Sequence, residues 1–252
     1  QYLFTQGFYY QYSRNMLQKN NGDGTFSEVG QLAGVSNTDW SWAPLFADFD
    51  NDGWKDIFIS NGINRDITDL DFSDFLANKA SVDKVVTDKG RFDFRDFLPY
   101  IPSKKIPNYA YVNQHDLTFK NEAYELGLGQ PSFSNGVAYG DLDNDGDLDM
   151  VVNNLNDECF IYRNEANKKS GNHFVEISFD GKAPNNFGIG VMVTVFANGV
   201  RQVKQMIPVR SFQSCMDPRL VFGLGKINKV DSIQIVWPDL SKQTLYDVNV
   251  DH

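Results

Sequence analysis

A self-match at an offset of 93 residues constrains this chain more than any other feature. It runs without a gap from Asn15 to Asn61. Asn15, Asn20, Asp23, Thr25, Phe26, Gly34 and Ser41 recur as Asn108, Asn113, Asp116, Thr118, Phe119, Gly127 and Ser134. Asp48, Asp50, Asn51, Asp52, Gly53, Asp56 and Asn61 recur as Asp141, Asp143, Asn144, Asp145, Gly146, Asp149 and Asn154. Each copy reads as a hairpin (in the first, Met16 to Lys19, a turn Asn20 to Gly24, then Thr25 to Val29), a strand entering an acidic cluster, and a strand leaving it. A chain built twice from this unit is strand-rich. With 20 Phe, 11 Tyr and 20 Gly, its composition also suits short strands and tight turns.

The acidic clusters carry the chemistry. Counted from Asp48 and from Asp141, carboxylates stand at positions 1, 3, 5 and 9 (Asp48, Asp50, Asp52, Asp56; Asp141, Asp143, Asp145, Asp149), with glycine at position 6. Hard oxygen donors at this density suit calcium, and without a cation they would repel one another strongly. The backbone carbonyl at position 7, from Trp54 or Asp147, completes the expected shell. An EF-hand would need a bidentate glutamate at position 12, where this chain has Ile59 and Val152 inside apolar runs. Each loop therefore joins two strands, and an ion there would tie down a turn. Two calcium sites are expected.

Ile63 to Pro107 has no counterpart in the second copy. Phe72, Phe75 and Leu76, then Val82, Val85 and Val86, then Phe94, Phe97 and Leu98 follow helical spacing, which predicts an insertion of short helices. It reads as a lid over one end of the array or as a dedicated binding element. From about His173 the pattern returns to strands: Phe174 to Phe179, Val191 to Ala197, Val203 to Val209, Arg219 to Phe222 and Ser232 to Trp237. Residues 1–166 and 173–252 are thus expected as two β domains, joined by the polar linker Asn164 to Asn172.

The formal charge of -10, from 33 acids against 23 bases, argues against nucleic acid as a partner. No stretch approaches the ~20 apolar residues that span a bilayer. Gln1 to Phe4 lack the features of a signal peptide, so any such segment has been removed or lies upstream. Cys159 and Cys215 are read as a disulfide or as two small buried hydrophobes. Trp40, Trp42 and Trp54 could stack on sugar rings or fill the core. His115, His173 and His252 form no recognisable pairing with a nucleophile, and no catalytic residue is assigned.

The units Phe46-Ala47-Asp48 to Asn61-Gly62 and Tyr139-Gly140-Asp141 to Asn154 resemble FG-GAP/VCBS repeats of integrin-like β-propellers, whose acidic loops bind calcium. Asn186-Phe187-Gly188-Ile189-Gly190, Phe222-Gly223-Leu224-Gly225 and Val236-Trp237-Pro238 look like an ASPIC/UnbV domain, the C-terminal module of cartilage-acidic-protein-like proteins. The resemblance implies a mainly β chain: a partial β-propeller with a helical insertion, followed by a β-sandwich. Propellers usually have at least four blades, so upstream blades are expected beyond this chain, or the array stays open. It further implies an extracytoplasmic protein, secreted or on the cell surface and outer-membrane-associated in a bacterium, with a protein or glycan ligand. The alternatives are a calcium-dependent enzyme acting on a polysaccharide or phosphate ester, and a purely structural cap.

Overall fold

The computed structural model describes residues 5–7, 12–87 and 93–251. Its strands are β1 (Gln18–Asn20), β2 (Phe26–Glu28), β3 (Ser41–Ala47), β4 (Asp56–Asn61), β5 (Tyr109–Asn113), β6 (Phe119–Asn121), β7 (Ser134–Gly140), β8 (Asp149–Asn154), β9 (Phe160–Tyr162), β10 (His173–Ile177), β11 (Met192–Ala197), β12 (Val200–Gln205), β13 (Leu220–Gly225), β14 (Lys229–Val236) and β15 (Lys242–Asn249). They form several antiparallel sheets, none closed into a barrel. The chain is mainly β, and its repeat region is a partial propeller.

The repeat seen in the sequence is offset from the unit of the sheet. β4 pairs with β5 through Ile57↔Tyr111, so the hairpin opening the second copy completes the sheet begun by the acidic strands of the first. The first blade is therefore β3-β4-β5-β6, and the second, β7-β8-β9, is built the same way up to its third strand. β4 is buried throughout because its two faces meet different neighbours. Phe58 faces Ala43, Leu45, Val137 and Val152 between the blades. Ile57 and Ile59, alternating to the other side, pack with Ala33, Val35 and Tyr111.

The insertion occupies the β4–β5 connection. It contains α1 (Leu70–Ala77), α2 (Lys79–Thr87) and a 3-10 helix (Phe94–Tyr100), as its spacing predicts; residues 88–92 lie outside the described part. Asp69 caps α1 by accepting from the Phe72 amide at 3.0 Å. Phe75 stacks on Tyr100 at 4.6 Å and meets Phe97 edge-on at 6.4 Å, giving the insertion an aromatic core of its own. Because the acidic loop joins β3 to β4 and the insertion leaves β4 at its other end, the two lie at opposite ends of the blade.

Beyond the blades, β10-β13 and β12-β11-β14-β15 face each other across Val175, Phe222, Val193, Val195, Val230 and Ile233. The strand expected at Val203 to Val209 lies instead at β12, three residues earlier. Asn198 and Gly199, both at positive φ (47° and 76°), make a two-residue turn that pairs Ala197 with Val200. β15, absent from the sequence expectation, is a largely exposed edge strand with no apolar alternation to betray it. Cys159 and Cys215 are both exposed and free, so neither reading offered for them holds. No helix among the described residues is long and apolar enough to cross a membrane.

Candidate metal centres

The two acidic loops share the bonds that close the turn. Asp48 accepts from the amides of Asp52 (3.1 Å) and Gly53 (3.0 Å), and Asp141 accepts from those of Asp145 (3.1 Å) and Gly146 (2.9 Å). The position-9 carboxylates reach back to the loop entrance: Asp56 accepts from the Phe49 amide at 3.4 Å, Asp149 from the Leu142 amide at 3.0 Å. The turn requires left-handed backbone at two places in each loop. These are Asn51 (φ 56°) and Gly53 (φ 94°) in the first, and Asn144 (φ 59°) and Gly146 (φ 85°) in the second, residue types that tolerate it.

This folding gathers the carboxylates. Oxygens of Asp48, Asp50 and Asp52 lie within 4.8 Å of one another, as do those of Asp141, Asp143 and Asp149. Asp56 and Asp145 stand beside these triads. In the second loop the buried Oδ2 of Asp145 accepts no hydrogen bond, with the Lys168 ammonium 3.7 Å away. An all-oxygen, all-carboxylate donor set with an orphaned buried oxygen fits a hard divalent cation. Burial pushes the Asp48 carboxyl up to about 7, against the pull of Lys204. It also pushes Asp56 up to about 7 and Asp147 up to about 6. Unaided, these groups resist ionisation.

The position-7 residues differ. Their amides both donate to the position-5 carboxylate, Trp54 to Asp52 at 2.7 Å and Asp147 to Asp145 at 3.2 Å, but the half-exposed Trp54 ring stacks on His115 at 4.9 Å, while His115 Nε2 meets Asp52 Oδ2 at 2.7 Å. Asp147 is fully buried; its carboxylate accepts from the Asn167 amide at 2.9 Å. Asp143 pairs with Arg163 at 2.9 Å. Of the other tryptophans, Trp42 packs against Phe212 at 4.9 Å and donates to the Gly62 carbonyl at 2.7 Å, a core role. Trp40 lies 6.1 Å from Trp42.

Several supporting residues escaped the sequence reading. Asn113, ending the third strand of the first blade, donates its amide to Asp56 at 2.9 Å, and Asn164, just past the third strand of the second, donates its own to Asp149 at 2.8 Å. The recurrence of Asn20 as Asn113 was the available signal. The segment expected as a linker is laced to both loops: Asn164 Nδ2 donates to the Phe49 carbonyl at 2.6 Å and Asn172 Nδ2 to the Asp50 carbonyl at 2.9 Å in the first, and the Asn167 amide to Asp147 at 2.9 Å in the second. Between them runs the short helix α3 (Ala166–Ser170).

Both loops lie where the blades meet the sandwich. Gly225 donates its amide to the Asn51 carbonyl at 2.8 Å. A Cβ on Gly223 would collide with the Asp48 carboxylate and the Asn51 backbone, which explains a glycine inside a buried strand. At the second loop the Arg219 guanidinium binds the Asp141 carbonyl and donates to the Asn144 side chain at 3.0 Å. Asp217, then Glu176 at 3.1 Å, hold that arginine firmly protonated. Ala47, Leu148 and Val221 fill the space between with apolar contact.

Fold and loops together define a blade-repeat protein whose acidic strand-turn-strand loops abut a C-terminal sandwich. Comparison with protein families says which repeat and which sandwich. The FG-GAP-like repeat family matches residues 3–59, and the family described as ASPIC and UnbV matches residues 181–252. The chain therefore carries an FG-GAP-like repeat and a C-terminal ASPIC/UnbV domain. The second acidic loop lies outside the matched repeat and is tied to it by the 93-residue self-match. Comparison with curated proteins returns no match.

Proposed function

We propose that the chain is a calcium-binding, extracytoplasmic binding or scaffold module in which calcium stiffens the repeat loops and the ligand is a glycan or a protein. The observation that supports this most is that both loops share the same amide bonds to the first and ninth carboxylates and each bring three carboxylates to within 4.8 Å, positions 1, 3 and 5 in the first and 1, 3 and 9 in the second. Asp48, Asp50, Asp52 and Asp56 would hold one ion, with the Trp54 carbonyl. Asp141, Asp143, Asp145 and Asp149 would hold the other, with the Asp147 carbonyl. The ion would supply positive charge where buried carboxylates otherwise repel, and the chain's own amides would orient those carboxylates.

Extracellular calcium modules bind at about 0.1 to 1 mM, and the same range is expected of these loops. FG-GAP-like and ASPIC/UnbV domains are repeat- and binding-type families, and the module is read as non-enzymatic. The test is a series of thermal melts in calcium and in chelator, on the wild type and Asp143→Ala. A structural ion raises the wild-type melting temperature, by about 2.7 kcal/mol of stability at a hundredfold excess over the dissociation constant, and raises the variant's less. Melts unaffected by calcium would count against the reading.

A further inference from the structure

A second feature of the junction carries the opposite charge. Between the outgoing end of the first acidic loop and the sandwich lies a polar cleft of about 130 Å³, lined by Lys55, Lys204, Arg210, Arg219, Asp217 and Tyr139. Arg219 is spoken for, since it pairs with Asp217 and Glu176. The other three cations are not: among the described residues none of Lys55, Lys204 and Arg210 forms an ion pair. Arg210 donates to the Gln205 carbonyl at 3.4 Å, and the Lys204 ammonium donates to the Val221 carbonyl and lies 4.9 Å over the Phe222 ring.

Four cations line one cleft in a chain of net charge -10; Asp48, at the entrance of the first acidic loop, offsets Lys204 and Lys55 without closing an ion pair with either. Such a cluster is held together against its own electrostatics by the docking of the sandwich on the blade, and an anion between the three would relieve it. The volume limits what that anion can be. Drug-sized ligands need about 300 Å³ or more, whereas this cleft has room for one charged group and a few waters.

We propose that this cleft is a binding site for a single oxyanion group, a sulfate or carboxylate; that an acidic glycan bears it as a substituent, its sugar rings staying outside, rests on the reading of the chain as a glycan-binding module. Lys55 and Arg210, both exposed at the mouth, make the first contacts, and Lys204 supplies charge from within. The arginine fork can grip two oxygens at once, and the ammonium groups act as point charges.

The test is calorimetric titration of the full chain with sodium sulfate and, separately, with a sulfated monosaccharide, at constant ionic strength to hold general screening fixed. Saturable binding of either ligand is expected, weakened at least tenfold in Lys55→Ala and in Arg210→Ala and partly restored in Arg210→Lys. Arg201→Ala, which removes an exposed cation away from the cleft, should bind as wild type does. Tighter binding of the sugar than of free sulfate supports the glycan as source; equal or weaker binding of the sugar overturns that source. The site itself is overturned if neither ligand saturates, if Lys55→Ala and Arg210→Ala bind as wild type, or if Arg201→Ala weakens binding equally. Calcium titration of the same samples separates a failure of this cleft from a failure of the metal loops.

Discussion

The side-chain amide of Asn51, at the turn of the first acidic loop, donates to the backbone carbonyl of Gly146 at the turn of the second, at 3.0 Å. The same amide reaches Asp147 Oδ1 at 3.2 Å and Asn167 Oδ1 at 3.1 Å, while the Asn51 carbonyl accepts from Gly225 of the sandwich. One buried residue thus ties together both loops and the C-terminal domain.

Asn51→Gly keeps the left-handed backbone and removes the amide. Removing the donor of the buried Gly146 carbonyl, and one of those serving Asp147, costs about 1 to 3 kcal/mol, so the melting temperature should fall by several degrees. Asn51→Ala should melt lower still, because it adds the strain of positive φ, on the order of 1 kcal/mol. Equal stability of Asn51→Gly and wild type would show that the bridge contributes nothing.

Gly223→Ala tests the packing of the sandwich against the first loop. Its added methyl meets the Asp48 carboxylate and Asn51 backbone, neither of which can retreat cheaply, and overpacking of this kind costs about 1 to 3 kcal/mol. Amide exchange should quicken at residues 48–53 and 223–225 together while the Val193 and Ile233 core stays protected. Exchange confined to one side of the contact would mean the two do not move as a unit.

The acidic loops could be read from the sequence because their chemistry is local: nine residues carry the whole donor set, and a second copy in register removes the ambiguity. The insertion's helices were legible for the same reason. What sits around the loops was not. Arg219 and Gly223 reach the loops across more than seventy residues of chain, and no periodicity links Gly223 to Asp48. The blade boundary was hidden too, since strand pairing between β4 and β5 skips the whole insertion. The turn Asn198-Gly199 did carry a local signal, an Asn-Gly pair between strands, and it marks where β12 begins.

Residues 63–105 should be removable. The insertion has its own aromatic core and leaves the blade at the end away from the loops, so a short Gly-Ser connector between Gly62 and Ile106 should preserve both the blades and the sandwich. Ile106 is kept because it bridges to Ser132. Loss of a cooperative melt would make the insertion part of the core.

The calcium-free protein should lose stability as pH rises. Burial raises the folded-state values of Asp48 and Asp56 to about 7 and of Asp147 to about 6, above an unfolded value near 3.9. The folded chain therefore holds more protons, and this contribution, complete below pH ~4, is lost as pH climbs through about 6 to 7. In chelator the melting temperature should be higher at pH 5 than at pH 7.5. Calcium should narrow that gap and release protons when it binds. A chelated protein more stable at pH 7.5 would contradict the electrostatic account of the loops.

The most direct test of the account is the stoichiometry of calcium binding, measured by calorimetry on exhaustively chelated protein. Wild type should bind two ions, and Asp50→Ala and Asp143→Ala should each lose or greatly weaken one while retaining the other. A stoichiometry near zero, or two undiminished sites in both variants, would contradict the assignment of calcium to these loops.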